Sequence, residues 1–293
     1  MSIQESNSMS YDRIFKLMDW RRFPEAIEEA EDWLKRDPEN PNAYAVLSRV
    51  YSRMGEYKKA LHWSQESLRR DPENSQAWFV RVFAFYAAED DRRFLSAVKE
   101  ARRIDPDEPH YHYLLFNYYH SKGKLKEAEE EIQRALALSP EHSLYLSSYS
   151  YLLANLGRFE ESVAAEKAAL AADPERDTTF LNLGLAADAR GEHKKQIQYM
   201  ENAVRLDPES SENRELYLQS LQKQYWFYRL LLLPASIRKM KPWQIFVSWF
   251  VMWALFKPLI ILFIILYVCS HWISALLVRW KVFGWRSMFR RKV

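Results

Sequence analysis

Apolar residues in the first 210 positions recur at helical spacing. Tyr44, Leu47 and Tyr51, at i, i+3 and i+7, fall on one face of a helix. No stretch of 1–232 shows the sustained alternation of a half-buried strand. Prolines stand at 38, 72, 106, 140, 174 and 208, every interval being 34 residues, and each is followed by an acid. Glycines 55, 123, 157 and 191 keep the same frame, with Arg21 and Glu89 on the two remaining beats. Two residues after each beat come Phe23, Tyr57, Asp91, Leu125, Phe159 and His193. Three further on lie Ala26, Ala60, Phe94, Ala128, Ser162 and Gln196. The pattern predicts pairs of helices, A and B. Glycine closes A in the left-handed region. A small residue lets B approach A, and proline ends B because it cannot continue the helix.

On these residues the chain resembles the tetratricopeptide repeat family, whose unit is a helix–turn–helix of about 34 residues. The resemblance implies an all-α, right-handed superhelical solenoid of six repeats: 7–40, 41–74, 75–108, 109–142, 143–176 and 177–210. Each hairpin buries its apolar face only against its neighbours. Residues 1–6, part of a polar N-terminus, are expected to be disordered, and no secretory signal is expected there. Residues 211–232 read as a capping and connecting helix. Repeat three departs from the pattern at Glu89, Asp91 and Phe94, which points to an irregular inter-helix turn.

Charge changes the picture at the C-terminus. The net charge of +3 hides a division: twelve basic and no acidic residues from 221 onward, leaving 30 basic against 39 acidic before it. Trp243 to Phe256 is uncharged for 14 residues, Lys257-Pro258 interrupts, and Leu259 to Val278 adds 20 more apolar positions. The second run, at about 1.5 Å per residue, matches a hydrocarbon core of roughly 30 Å. The reading is a membrane region at 233–280, with a transmembrane helix at 259–278 and a basic aromatic tail at 281–293 on membrane lipid. The first run is too short to span. Basic residues on both flanks nevertheless favour an even number of crossings, through a hairpin turning at Lys257-Pro258. A single span fits the lengths, and both readings stand at this point. A tail that directly follows an apolar span points to lipid rather than nucleic acid.

Candidate chemistry is sparse. No phosphate loop, dinucleotide fingerprint, zinc-protease motif or nucleophile elbow is present, and neither an enzyme nor a cofactor is expected. His110, His112 and His120 form the densest titratable group. His110 and His112 lie two apart and face opposite sides of a helix, so no metal site is expected. Cys269 stands alone, which excludes an intrachain disulfide.

The resemblance implies a concave groove lined by A helices, which receives a protein or peptide partner. Carrying over the family's groove positions gives Asn42, Arg49 and Ser52, with Arg53 beside them, then Gln76, Phe79, Phe83 and Tyr86. His110, Tyr113, Asn117, His120 and Tyr151 follow. These aromatics can equally pack against neighbouring A helices. Tyr11 and Phe15 occupy the first pair of positions of the family's carboxylate clamp, so recognition of a chaperone C-terminus is not expected. The function read from sequence is a membrane-anchored scaffold or adaptor with the repeats in the cytoplasm. The alternative is an accessory or assembly subunit of a polytopic membrane enzyme or transporter, held mainly through its C-terminal segments.

Overall fold

The computed structural model describes residues 3–172, 176–225 and 242–283. Among these the chain forms fourteen helices and no strand. The A helices are α1 (Ile3–Asp19), α3 (Pro41–Arg53), α5 (Ser75–Ala87), α7 (Pro109–Ser121), α9 (Ser143–Asn155) and α11 (Asp177–Ala189). Their B partners are α2 (Phe23–Arg36), α4 (Tyr57–Arg70), α6 (Asp91–Ile104), α8 (Leu125–Leu138), α10 (Phe159–Ala171) and α12 (His193–Leu206). Two further helices follow, α13 (Ser211–Gln222) and α14 (Pro242–Phe283). From α3 onward each A helix begins three residues after a proline of the 34-residue ladder.

The chain divides into two compact units at Pro140/Glu141. In the first, α1 to α8 make four hairpins whose A helices adjoin in chain order. One apolar cluster joins Ile14, Leu17, Trp33, Val46, Leu47 and Val50. A second joins Phe85, Phe94, Val98, Tyr111 and Leu115. In the second unit α9 to α12 make two hairpins, α13 packs on α12, and α14 touches α13. Asn213 of α13 donates to the Asp177 carboxylate and to the Ala203 carbonyl, tying α13 to α11 and α12.

All six inter-helix turns are built alike. Gly55, Gly123, Gly157 and Gly191 have φ of 78°, 71°, 77° and 79°, and Arg21 and Glu89 adopt 57° and 54°. After each, the next N–H reaches back five residues: Arg22 to Leu17, Glu56 to Tyr51, Asp90 to Phe85, Lys124 to Tyr119, Arg158 to Leu153 and Glu192 to Ala187. That is the left-handed C-cap of a helix, and it satisfies carbonyls the last turn would leave open. The irregular turn expected in repeat three is therefore absent. The tertiary contacts of the hairpin hold Glu89 in a backbone region that costs an L-residue about 1–2 kcal/mol. Glu89→Gly should raise stability by about 0.5–1 kcal/mol, the relief being partly offset by the greater freedom of glycine in the unfolded chain. A higher urea midpoint with an unchanged slope would show it, and Arg21→Gly should behave alike.

Helix α1 starts at Ile3, and Ser10 is buried, donating to Glu29 and accepting from Arg36. The two apolar runs of the C-terminus join in one helix of 42 residues, so the turn at Lys257-Pro258 is not formed. An internal proline removes one backbone donor, and here the helix continues past it. At about 1.5 Å per residue α14 is roughly 63 Å long, twice a hydrocarbon core. The end of the connecting segment beyond Tyr225, the bases Arg229, Arg238, Lys239 and Lys241, and tail residues 284–293 lie outside the described residues.

Candidate functional site

The A helices of the first unit carry a continuous line of aromatic and cationic side chains. Arg49 of α3 lies between two rings, with its guanidinium carbon 5.0 Å from the Phe15 centroid on α1 and 5.2 Å from that of Phe79 on α5. Tyr11 stacks on Phe15 at 4.5 Å, and its hydroxyl accepts from the Gln76 amide at 2.9 Å. Phe79 stacks on His110 of α7 at 5.5 Å, and His110 lies 5.5 Å from Tyr113. Tyr113 stacks on Phe116, and Phe116 on His120. Four consecutive A helices are thus linked through side chains. Most of these groups are half-buried.

Helical periodicity explains the alignment. Phe15 and Arg49 occupy the same position in successive repeats, as do Tyr11, Phe79 and Tyr113 in repeats one, three and four. Stacked repeats of equal length bring such positions side by side. Burial pulls the Arg49 guanidinium below its ordinary pKa, with Arg53 acting in the same direction. Burial raises the Tyr86 phenol, reinforced by Tyr113. The His120 imidazole is lowered by burial.

The remaining groove candidates divide. Asn42 accepts from the Asn74 side chain at 2.8 Å, while Asn74 caps α5 by accepting from the Ala77 N–H. Asn42 thus joins hairpin ends. Arg53 is exposed and 3.9 Å from Asp19. Ser52 is buried. Phe83 packs near Tyr57 at 6.3 Å, and Tyr86 lies 5.5 Å from the buried Phe94. Asn117 is half-buried on α7. Tyr151 is half-buried on α9, in the second unit. Tyr11 and Phe15, placed by the resemblance at the first pair of clamp positions, were not counted among the groove candidates. Counting back 34 residues from Arg49 reaches Phe15, and that was the signal available.

His110 and His112 do face different ways. His112 is buried, its Nδ1 2.6 Å from the Glu131 carboxylate of α8, which also accepts from Arg134 at 2.8 Å. Burial pushes the Glu131 carboxyl up, but the hydrogen bond from His112 and the charges of His112, Arg134 and Arg102 outweigh it and hold the group below its ordinary value. A carboxyl lowered in the folded state contributes stability that is complete above its unfolded pKa and lost as pH falls through the folded one. Glu131→Gln should therefore cost most near neutrality, and the gap to the parent should close as pH drops below about 4.5. Thermal midpoints recorded from pH 7 to pH 3 test this. A constant gap would contradict it.

The second unit holds a buried polar centre. Arg190 pairs with Glu166, and Glu166 also accepts from Lys195 at 3.1 Å and from the Tyr199 hydroxyl at 2.9 Å. Arg190 donates to Ser162 at 2.6 Å and lies 3.1 Å from Glu192. A shallow cleft beside it is lined by Phe159, Glu160, Val163, Arg190 and Glu192. Tyr199 titrates well above an ordinary phenol, through burial and the adjacent Glu166 charge.

Comparison with known proteins agrees with this architecture. Models described as tetratricopeptide repeat match residues 17–78, 113–177 and 178–210, together more than half of the chain. No curated protein matches it. A chain of the APC/C hetero-tetramer Cut9–Hcn1 superposes with a TM-score of 0.62 at 16% identity, over 76% of this chain and 42% of that one. The pilF protein of Pseudomonas aeruginosa gives 0.59 at 16% identity, over 76% and 99%. PilW, a type IV pilus biogenesis factor, gives 0.53 at 19% identity, over 71% and 98%. This chain spans about two fifths of the Cut9–Hcn1 chain, and at these identities the likeness concerns the fold.

Proposed function

We propose, from the premise that this chain belongs to the tetratricopeptide repeat family, that it is a membrane-anchored scaffold whose first unit receives a protein or peptide segment along its A helices. The observation that carries the reading is the line from Tyr11 and Phe15 through Arg49 to Phe79, His110 and Tyr113. It offers stacking surface and a cation on rigid elements that adjoin in order. Interfaces of this kind draw their energy from a few aromatic and arginine anchors.

The anchor is α14. Ile261–Val282 is 22 residues long and apolar enough to cross a membrane. Ser270, Ser274 and Val278 form its buried stripe, while Ile261, Ile265, Tyr267, Trp272, Ile273, Leu276 and Trp280 are exposed around the remaining circumference. A helix whose apolar surface is mostly left uncovered by protein is suited to lipid. Trp243, Trp249, Trp272 and Trp280 are exposed as well, as interfacial anchors are. In this reading the repeats lie in the cytoplasm, and Cys269 falls within the span itself. Anchoring raises the effective concentration of the groove beside any membrane-bound partner. The same bare apolar surface favours a second reading, in which α14 docks into a polytopic enzyme or transporter as an accessory subunit.

The test is crosslinking in intact membranes, with Arg49→Glu plus Tyr86→Ala as the groove variant. Loss of the parent's crosslinks at the repeats, with alkali-resistant membrane association retained, is the expected result. Crosslinks unchanged in the variant and concentrated on α14 would favour the accessory subunit. Release of the parent by alkaline carbonate would remove the anchor.

A further inference from the structure

Arg49 has two aromatic neighbours and no close carboxylate among the described residues. The guanidinium carbon lies over the Phe15 ring at 5.0 Å and over the Phe79 ring at 5.2 Å. Among the described residues no carboxylate lies within 4.0 Å of it. Glu108 and Asp19 act on it only at longer range, and Asp19 is taken up by Arg53. An arginine held over two rings loses rotamer freedom, while its N–H groups keep the fork that matches a carboxylate.

A second group beside it is also incomplete. Gln76 spends its amide N–H on Tyr11, whose ring stacks on Phe15. The Gln76 carbonyl oxygen is buried and has no hydrogen-bond partner among the described residues. Such an acceptor costs free energy until a donor reaches it. The line therefore holds a cationic fork on α3 and, beneath the surface of α5, an acceptor without a partner. An extended peptide satisfies the fork with a carboxylate.

Where the carboxylate sits in the partner follows from what flanks Arg49. Aromatic surface continues on both sides, Phe15 and Tyr11 towards α1, and Phe79, His110 and Tyr113 towards α7. A chain terminus would leave one of these sides bare. We infer that Arg49 is the specificity determinant of the groove, seating an internal aspartate or glutamate of an extended partner segment with apolar or aromatic neighbours on both sides. The inference rests on the groove reading above and adds the partner's chemistry to it.

The probe is a phage-displayed library of random dodecapeptides, selected on the full-length chain in detergent micelles. The expected result is enrichment of sequences with Asp or Glu at one fixed interior position between apolar residues. A labelled peptide of that consensus, amidated at its C-terminus, should bind at least about tenfold more tightly than its Gln or Asn counterpart, the size of one charge-assisted bond. Arg49→Gln should bring the two peptides to equal affinity, and Arg49→Lys should restore part of the difference. Thermal midpoints of both variants show whether the hairpins remain folded. Enrichment without an acidic position, preference for a free C-terminal carboxylate, an acid preference that survives in Arg49→Gln, or no enrichment at all would each overturn the inference. Phe79→Ala separates the two levels. If it abolishes binding of peptides that show no acid preference, the groove reading stands and the role of Arg49 falls. If the selected peptides bind Phe79→Ala unchanged, the groove reading falls with it.

Discussion

Phe94→Ala should destabilise the first unit by about 3–4 kcal/mol, although it restores the residue that most other repeats of this chain carry in that place. The corresponding positions are Ala26, Ala60, Ala128, Ser162 and Gln196, all buried, and Phe94 is as buried as they are at 1% exposure. Its ring lies 5.5 Å from Tyr86 and 5.7 Å from Tyr118, inside the cluster with Phe85, Val98 and Tyr111. Truncation would remove the transfer energy of a whole aromatic ring and leave a cavity between helices that cannot fully collapse. Urea unfolding followed by circular dichroism reads the loss. A change below about 1 kcal/mol would mean that the third hairpin repacks around alanine, and that its aromatic cluster is not under tension from neighbouring repeats. The contrast with Glu89→Gly is useful. Both substitutions bring repeat three closer to the repeat pattern, yet one removes a packed ring and the other relieves backbone strain.

Glu166→Ala should cost about 3–5 kcal/mol in the second unit, because it strands a buried guanidinium. Arg190 and Glu166 are 2% and 4% exposed at their side chains, and removing the carboxylate also strips partners from Lys195 and Tyr199. Glu192 remains, but its side chain is 32% exposed and offers a weaker counter-charge. The pair itself is a different matter. A buried ion pair loses much of its Coulomb gain to desolvation, and the Arg190 Nε is buried without a partner. The double replacement Glu166→Leu with Arg190→Met should therefore recover most of what Glu166→Ala loses. Chemical denaturation of the single and double variants tests this, and additive losses would contradict it.

The sequence carried the fold through spacing. A 34-residue ladder of prolines and glycines marks where helices must stop, and helical apolar spacing between the marks says what lies between. The hairpins and their turns follow from that alone. Three features were not legible in this way. Arg21 and Glu89 give no local sign of a left-handed backbone, since that conformation is imposed by the packing of the hairpins on either side. Phe94 reads as a departure from the pattern, and only the neighbouring rings show that it fills space. Lys257-Pro258 reads as a break, because charge on both flanks favours a turn, yet the helix runs through it. The candidate groove was half visible. The repeat frame placed Arg49, Phe79, His110 and Tyr113 on A helices. It could not say that Arg49 lies over both the Phe15 and the Phe79 ring, or that Asn42 is engaged by Asn74.

By itself the sequence determined the all-helical repeat, its period, and the apolar, acid-free character of the C-terminal region, because backbone propensity, chain-breaking residues and charge are local properties. The tertiary structure decided which of the half-buried aromatics meet, which cation stands without a counter-ion, and which side chains bear strain. Those depend on distances between residues 30 or more positions apart, and only the stacking of one hairpin on the next sets them.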